Sequence, residues 1–482
     1  MNLEEMKRKY AYTLARVGLN VQKGQTVLVE AAIEGSAFTP VFCEECYKLG
    51  ASNVVVHYLD QANLKVASLY RSKEDVEKVE DWEVLQNQKY LDEGACYVRL
   101  EGVNPKLMED LPGEKANAVF AHVDAVRNIM RKASRDKHCQ WLIAMIPTKE
   151  WADYIMPDVE ESKRLEELWK LLLKLCYIDE TNDVVQTWKE KRDRNHERGK
   201  KIDSYHFTKF HYTASNGTDL VVELTPDSKF SYERKEDGIS FTPNIPTEEI
   251  CTTPEKYGTN GVVYASRPLV LGGKSVENFG FRFENGKVVE VIAKEGKEML
   301  EALVRMDENA CYLGECALVE YHSPISMSHR VYYTTLIDEN ASCHLALGRG
   351  LNVQQPKDSR YTFNDSKIHI DFMIGTSDMH IVGTTEDGKE CVDILENSEE
   401  HAFDFVFMDI QMPIMNGYEA TKLIRKSQRK DIQNIPVVAM SADAFAEDVE
   451  ACLKAGMNGH ISKPIDFKEV MKVIEKYCST NQ

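Results

Sequence analysis

One segment places two metal-binding side-chain types on the same face of a predicted strand. In KIHIDFMIG, His369 and Asp371 are two residues apart, and residues i and i+2 of a strand project from one face of the sheet. The rest of the segment is apolar, so the imidazole and the carboxylate would be buried together. Such burial is costly unless the two groups pair with each other or bind a metal. The pattern therefore leaves two interpretations open, an ion pair and a metal site.

Three further residues could complete a metal site. They are Glu249 in NIPTEEICTTP, Glu315 in ACYLGECALVE and His344 in DENASCHLALG. Taken alone, each is weak evidence, because a single Glu is usually a surface residue and a single His is usually a core residue with satisfied hydrogen bonds. Together with His369 and Asp371 they give three carboxylates and two imidazoles. That ligand set suits zinc, cobalt or manganese.

A second group of reactive side chains lies near the C-terminal end. Asp409 follows the apolar run FDFVFM, Ser441 ends VVAMS, and Lys463 follows the short run GHIS. In open α/β sheets, ligand and reaction sites lie at the carboxyl ends of the strands. A carboxylate, a hydroxyl and an ammonium group at three neighbouring strand ends could accept and hold a phosphoryl group. The Lys-Pro pair at 463–464 is also typical of a simple turn.

The chain must position these residues with three kinds of structure. Before about residue 188, apolar strands such as 26–31 and 53–58 alternate with helical patterns such as 40–49 and 115–134, which predicts a parallel α/β layer. After Ile202, turns such as Asn216-Gly217 and Gly272-Gly273 separate short β-branched runs, which predicts antiparallel β structure. We therefore expect an α/β domain over 1–188, a mostly antiparallel α+β domain over 189–397, and an αβαβαβα run over 388–482.

Composition excludes several classes of protein. The formal net charge is −19, which disfavours nucleic-acid binding, and no run approaches the ~18 apolar residues of a membrane span. The N-terminus lacks the apolar segment of a secretory signal, so we expect a cytoplasmic protein with reduced cysteines. The basic run 189–201 is interpreted as a solvated helix face or connector. Cys43 and Cys46 are interpreted as helix-packing residues.

Several motifs together resemble the thermophilic metalloaminopeptidases, the family of aminopeptidase T and the PepS-type enzymes. They are NIPTEEICTTP, ASRPLV followed by GGK, LGECALV, SPIS, LIDENASCHLALGRG and NDSKIHIDFMIGTSDMHI. The resemblance covers about residues 3–397 and implies peptide substrates, a homodimer and two divalent metal ions. It implies five metal ligands, with the first two also acting as catalytic carboxylates: Glu249, Glu315, His344, His369 and Asp371. Glu248 is the alternative to Glu249.

The resemblance also implies a reaction. A two-metal site can polarise the scissile carbonyl, and one metal can bind the free α-amine of the substrate, which would confine cleavage to the N-terminal residue. Asp338 and Glu339 are candidates for contacts that support the ligands. Where the family often carries a Tyr, this chain has Leu351, so a substrate-facing hydroxyl would be missing or supplied by Tyr361.

The C-terminal segment resembles the receiver domain of two-component signalling, especially receivers of hybrid sensor kinases. By this resemblance Asp409 is the phospho-acceptor, Ser441 the switch hydroxyl and Lys463 the phosphate-binding lysine. A histidine kinase or phosphotransfer protein would be the partner. The match begins near Gly388, so a partial flavodoxin-like receiver is expected, with the first βαβ unit missing. The acidic pair that binds Mg²⁺ in the family ends that missing first strand.

We therefore expect a metal-dependent aminopeptidase that carries an incomplete receiver fragment. Two alternatives remain open: a signalling protein whose peptidase-like module only binds, and an inactive chimera. The segment TTEDGKECVDILEN is compatible with both families. It reads as the final hairpin of an aminopeptidase and, from Gly388 onward, as the second helix of a receiver.

Overall fold

The computed structural model of this chain describes most of its residues, in the following ranges: 1–108, 111–112, 114–115, 118–119, 121–123, 125–127, 139–231, 235–236, 238–271, 274–351, 355–385, 388–412, 415–441, 446–463 and 467–478. The chain divides into two compact units. The first contains residues 1–199, 212–220 and 227–380, and the second contains residues 200–211, 221–226 and 381–482. Most of the predicted helix 115–134 lies outside the described residues.

The N-terminal part of the first unit is built on a parallel sheet. Its first four strands are β1 (Thr26–Ala32), β2 (Asn53–Leu59), β3 (Cys96–Gly102) and β4 (Trp141–Ile146). They pair in parallel in the order β2-β1-β3-β4. The predicted parallel α/β layer is therefore confirmed. Parallel sheets need cover on both faces, which explains why β1 and β3 are mostly buried.

Helices surround this sheet, and their apolar faces form the core of the first unit. The helices are Leu3–Thr13, Thr39–Lys48, Gln61–Tyr70, Lys73–Glu77, Asp81–Asp92, Lys149–Ile155 and Arg164–Leu175. Asn2 caps the first helix in a reciprocal pair with Glu5, which satisfies otherwise unpaired backbone N–H groups. Tyr10, Phe42 and Trp151 are fully buried in the core. Cys46 is buried in the second helix, as expected for a packing residue.

Fifteen mostly antiparallel strands follow among the residues that the structure describes. Their bounds are β5 (Lys209–Thr213), β6 (Asp219–Glu223), β7 (Lys235–Glu236), β8 (Ile239–Ser240), β9 (Asn244–Ile245), β10 (Glu249–Thr252), β11 (Thr259–Tyr264), β12 (Leu269–Leu271), β13 (Lys274–Val276), β14 (Phe279–Glu284), β15 (Lys287–Ala293), β16 (Leu313–Val319), β17 (His344–Gly348), β18 (His369–Met373) and β19 (His380–Thr384). Two helices, Lys297–Leu303 and Thr335–Asp338, lie among them.

Within the first unit, two antiparallel arrangements matter for function. Strands β10-β16-β17-β18 form a four-stranded sheet in that order, and β14 pairs with both β11 and β15. Strand β9 extends the N-terminal sheet by pairing in parallel with β4, so that sheet contains residues from both predicted domains. The proposed domain boundary at residue 188 stays a prediction.

The basic run 189–201 lies inside the long helix Val184–Ser204. The interpretation as a solvated face is wrong for part of it. Within the run, Lys191 is largely covered and paired with the buried Glu248, and the helix also buries Trp188, directly before the run. A helix can bury one stripe while its other faces stay solvated, and a charge count over consecutive residues does not reveal which stripe that is.

The second unit contains a parallel three-stranded sheet with helices around it. Its strands are β20 (Val406–Asp409), β21 (Val437–Ser441) and β22 (Gly459–Ser462), in the order β20-β21-β22. The helices are Gly388–Asn397, Gly417–Ile424, Lys430–Asn434, Ala446–Ala455 and Phe467–Cys478. Leu395, Met408, Ile424 and Val437 belong to one buried core. The αβαβαβα order predicted from residue 388 is confirmed, with one additional short helix, Lys430–Asn434, before β21.

The structure distinguishes between the two interpretations of the segment TTEDGKECVDILEN. Strand β19 ends at Thr384, and the next helix begins at Gly388. The GKECVDILEN segment is therefore helical, and the alternative of a final hairpin through it is wrong. Its apolar residues Cys391, Val392 and Leu395 pack into the core of the second unit, which explains why the helix is favoured. No helix among the described residues is long and apolar enough to cross a membrane.

Candidate metal centre

The four-stranded sheet brings all five predicted ligands together. Glu315 and Asp371 lie opposite Ala346, one on each side of it. Residues in lateral register project from the same face. His344 is two residues before Ala346 on the same strand and is directly opposite Ala317, so it shares that face as well. The alternation predicted for His369 and Asp371 is confirmed by strand β18.

A glycine allows the last strand to approach. Gly348 ends β17 in register with His369 and has a φ of +102°, a conformation that favours glycine. A Cβ atom at this position would collide with the carbonyl of Ile368. The pairing of β18, which carries His369, with β17 therefore requires a glycine at position 348.

The side chains form two groups that share one carboxylate. The His344 Nε2 atom lies 3.0 Å from Glu249 Oε2 and 3.7 Å from Glu315 Oε1. The His369 Nε2 atom lies 3.1 Å from Glu315 Oε2 and 3.3 Å from Asp371 Oδ1. In each group the donor atoms lie within 4.8 Å of one another. We name these groups the first triad (Glu249, Glu315, His344) and the second triad (Glu315, His369, Asp371).

Both imidazoles are oriented by backbone carbonyls. The His369 Nδ1 atom lies 2.7 Å from the Arg349 carbonyl oxygen, and the His344 Nδ1 atom lies 3.3 Å from that of Ser342. A carbonyl can only accept, so each Nδ1 carries the proton and donates. This leaves Nε2 facing the carboxylates, which is the arrangement that fixes metal-binding histidines. No sequence signal identified these backbone partners.

Burial and charge act against each other at the centre. Glu315 and His344 are only 3% and 1% exposed. Burial alone would raise the pKa of Glu315, but the nearby imidazoles of His344 and His369 outweigh it and hold that pKa well below its usual range. Burial alone would lower the pKa of His344, but its contacts with Glu249 and Glu315 raise it well above the ordinary value.

Among the five predicted ligands, Glu249 has a buried carboxylate oxygen without a hydrogen bond from the protein. Burial raises the pKa of its carboxyl group, against the opposing effect of His344. Its Oε2 atom is buried and has no hydrogen bond of acceptable geometry, although His344 Nε2 is 3.0 Å away. An orphaned buried carboxylate oxygen beside the imidazole of His344 fits a cation that is shared with it. The alternative, Glu248, contacts Tyr177 and Lys191 instead.

Two further acids, Asp338 and Glu339, are buried, and the structure places them differently. Burial raises the pKa of Glu339 well above the ordinary value, and the charges of Asp371 and Glu249 add to the effect. Asp338 faces elsewhere. Its Oδ1 atom accepts hydrogen bonds from Arg267 and from the Tyr332 backbone N–H at 3.2 and 3.0 Å. Burial raises the pKa of Asp338 to about 6 despite these contacts.

The position that departs from the family pattern is tied to the same region. The Leu351 backbone N–H donates to Thr253 Oγ1 at 2.9 Å, one residue after strand β10. Tyr361 is half-buried, and its ring lies 5.6 Å from the Arg360 guanidinium. Residues 352–354, which separate the two positions in sequence, lie outside the described part of the chain.

The second group of reactive residues is assembled at one edge of the C-terminal sheet. Asp409 and Ser441 end β20 and β21, and Lys463 follows β22. The Lys463 ammonium contacts Asp409 Oδ2 directly, and its backbone N–H donates to the Ser441 carbonyl at 2.7 Å. The Ser441 hydroxyl lies 2.7 Å from His460 Nε2. The sequence did not single out this histidine.

Comparisons with known proteins agree with the two regions. The family profile described as Thermophilic metalloprotease (M29) matches residues 3–399, and the profile described as Response regulator receiver domain matches residues 366–475. Aminopeptidase AmpS of Bacillus subtilis (strain 168) is 34% identical over 390 residues, which is 79% of this chain and 95% of that protein. The solved structure of wild-type AmpT from Thermus thermophilus is 31% identical, with a TM-score of 0.71, covering 80% of this chain and 96% of that one.

The C-terminal similarity is shorter. Probable histidine kinase 6 of Oryza sativa subsp. japonica is 36% identical over 111 residues. Those residues are 20% of this chain but only 11% of that protein, so the similarity concerns one domain of a much longer protein.

Proposed function

We propose that this chain, which belongs to the thermophilic metalloprotease (M29) family and is a metal-dependent aminopeptidase, removes N-terminal residues from peptides by means of two divalent cations. The observation that carries the proposal is the position of Glu315. Its two oxygens face two different histidines, so one carboxylate can serve two cations at once.

The ligands divide between the two cations in the following way. The first triad would hold one cation and the second triad the other, with Glu315 common to both. Nitrogen and carboxylate donors suit Zn²⁺, Co²⁺ or Mn²⁺. When bound, the two cations would supply Lewis acidity to the scissile carbonyl and to an attacking water. Glu339 would add a further oxygen donor beside them.

The residues of the chain also select the end of the peptide. The three ligand carboxylates, of Glu249, Glu315 and Asp371, would be matched in charge by the bound cations. A cation held by one triad could accept the lone pair of a free N-terminal amine, whereas the nitrogen lone pair of an internal peptide bond is delocalised. We infer that this interaction orients the N-terminus of the substrate toward the site. The homodimer and the cytoplasmic location stay predictions.

A direct test is hydrolysis of a leucyl chromogenic amide. We expect the purified protein to release the chromophore, to lose this activity after chelation, and to regain it when Zn²⁺, Co²⁺ or Mn²⁺ is returned. Metal content is measured by mass spectrometry at each step. Full activity in protein shown to contain no metal would refute the proposal.

The receiver domain adds a second candidate role as a phosphorelay element. The observation in its favour is the contact between Lys463 and Asp409, which brings the predicted phosphate-binding lysine to the predicted acceptor. We propose nevertheless that the domain is truncated, because among the described residues of the receiver match before the helix Gly388–Asn397 no strand ends in two adjacent acids. The nearest upstream acids, Glu386 and Asp387, lie outside the described residues.

We therefore expect no phosphorylation of Asp409 by acetyl phosphate in the presence of Mg²⁺. Without the acidic pair, the charge of the incoming phosphoryl group is not neutralised beside the attacking carboxylate. Phosphate uptake is followed by mass spectrometry at neutral pH and on gels that retain phosphorylated protein. A phosphate that is labile to alkali and hydroxylamine, and that is lost in Asp409→Asn, would show that the domain is a working switch.

A further inference from the structure

A buried ion pair lies behind the first triad, on the far side of the strand that carries Glu249. The neighbouring Glu248 is only 4% exposed, and both of its carboxylate oxygens have a partner. Its Oε1 atom accepts a hydrogen bond from the Tyr177 hydroxyl at 2.7 Å. Its Oε2 atom lies 2.8 Å from Lys191 Nζ. Adjacent strand residues project to opposite faces, so Glu248 anchors the strand while Glu249 faces the site.

The partner of Glu248 belongs to the long helix Val184–Ser204. The Lys191 ammonium also lies 4.0 Å from the centre of the Tyr177 ring, so its charge is held by a carboxylate and an aromatic face. One turn further along this helix, Asn195 Nδ2 donates to the backbone carbonyl of Glu249 at 3.4 Å. The helix therefore contacts the side chain of Glu248 and the backbone of Glu249.

Asn340 links the backbone of Glu248 to the side chain of Glu339. Its Oδ1 atom accepts a hydrogen bond from the Glu248 backbone N–H at 2.6 Å. Its Nδ2 atom donates to Glu339 Oε1 at 3.3 Å. The backbone that precedes Glu249 is thus fixed from two directions, by the helix and by the segment that carries Glu339.

The strand needs such support because of its place in the sheet. In the order β10-β16-β17-β18, strand β10 lies at the edge, and among the described strands of this sheet it pairs only with β16. The second triad draws its residues from β16 and β18 and contains none from β10. Movement of β10 would displace Glu249 and leave His369 and Asp371 in place.

We propose that Lys191 and Glu248 are positioning residues that set the cation affinity of the first triad and not that of the second. The proposal deepens the two-cation function and rests on it. Removing the Lys191 charge leaves Glu248 buried and uncompensated, which is the costly way to break a buried ion pair. The strand is then expected to shift so that Glu248 can reach water.

The test is calorimetric titration of the metal-free full-length protein with Zn²⁺. The unaltered protein should take up two equivalents. In Lys191→Met one equivalent should bind about 10–100-fold more weakly, the range observed when a residue supporting a ligand is lost, while the other keeps its affinity. Lys191→Arg, which restores the charge, should recover most of the loss. Lys189→Met is the matched control, because Lys189 is on the same helix but is exposed and paired with Asp193.

Folding is followed by thermal unfolding of each metal-free variant. If Lys191→Met is too unstable to titrate, Glu248→Gln replaces it, since it keeps the shape of the side chain and removes the charge of the pair. Unchanged affinities in these variants, or equal weakening of both equivalents, would overturn the proposal. Fewer than two equivalents in the unaltered protein would refute the two-cation function itself, and this inference with it.

Discussion

Replacement of Glu315 by alanine should abolish peptidase activity and empty both cation sites at once. Glu315 is the one residue common to the two triads, and its oxygens face His344 and His369 separately. Loss of a residue that merely supports a ligand costs ~10–100-fold, so we expect the loss of this shared ligand to exceed 100-fold. Hydrolysis of a leucyl chromogenic amide and bound metal per chain are the two measurements.

Other substitutions separate this effect from general damage. Glu315→Gln keeps the volume of the side chain and should be inactive as well, whereas Glu298→Ala, at an exposed position, should leave activity and metal content unchanged. His344→Ala should remove the ion of the first triad and leave one equivalent bound. If Glu315→Ala retained two bound ions and near-normal turnover, the assignment of the shared ligand would be wrong.

Acetylation of the substrate N-terminus should reduce kcat/KM by about 10⁴-fold, the scale of discrimination expected when a polar site is left unpaired. The free α-amine is the group that a cation held by one triad could bind through its lone pair. An acetyl cap turns that amine into an amide, whose nitrogen lone pair is delocalised and no longer available to a cation. The measurement compares the same peptide with a free and an acetylated N-terminus, with products identified by mass spectrometry.

A peptide with a free N-terminus and an amidated C-terminus is the control for that experiment. It should be cleaved normally, because nothing in the proposal requires the C-terminal carboxylate. Comparable rates on acetylated and free peptides would reject cleavage from the N-terminus and would leave metal-dependent hydrolysis itself intact.

The sequence predicted the local features of the site. It did not predict how residues from distant strands come together there. The two-residue spacing of His369 and Asp371 was sufficient to place them on one face of a strand, because that face depends only on local backbone geometry. The role of Glu315 as a shared residue depends on register. Strands β16 and β17 change register between Leu313 and Glu315, and such an irregularity has no reliable sequence signal.

The basic run 189–201 shows the same limit, because a local pattern does not reveal contacts with distant residues. Counting charges from 189 to 201 indicated a solvated helix, yet Lys191 is partnered by Glu248, 57 residues later. Burial of a lysine depends on a distant carboxylate that no local pattern reveals. The helices at 61–92 were also not predicted. The five ligands were selected through their resemblance to a family, and their assembly on one sheet is a finding of the structure.

The short distance between strand β19 and the helix Gly388–Asn397 has a practical consequence for anyone who wishes to produce the peptidase alone. Residues 385–387 are the only ones between these elements. A stop codon after residue 397 would leave a helix whose apolar residues Cys391, Val392 and Leu395 have lost the core they pack into, and exposed apolar surface promotes aggregation. A gene shortened at 385–387 would remove that helix together with this core and would keep, of the second unit, residues 200–211, 221–226 and the end of β19. It is therefore the better cloning boundary, even though similarity to the peptidase family extends to residue 399.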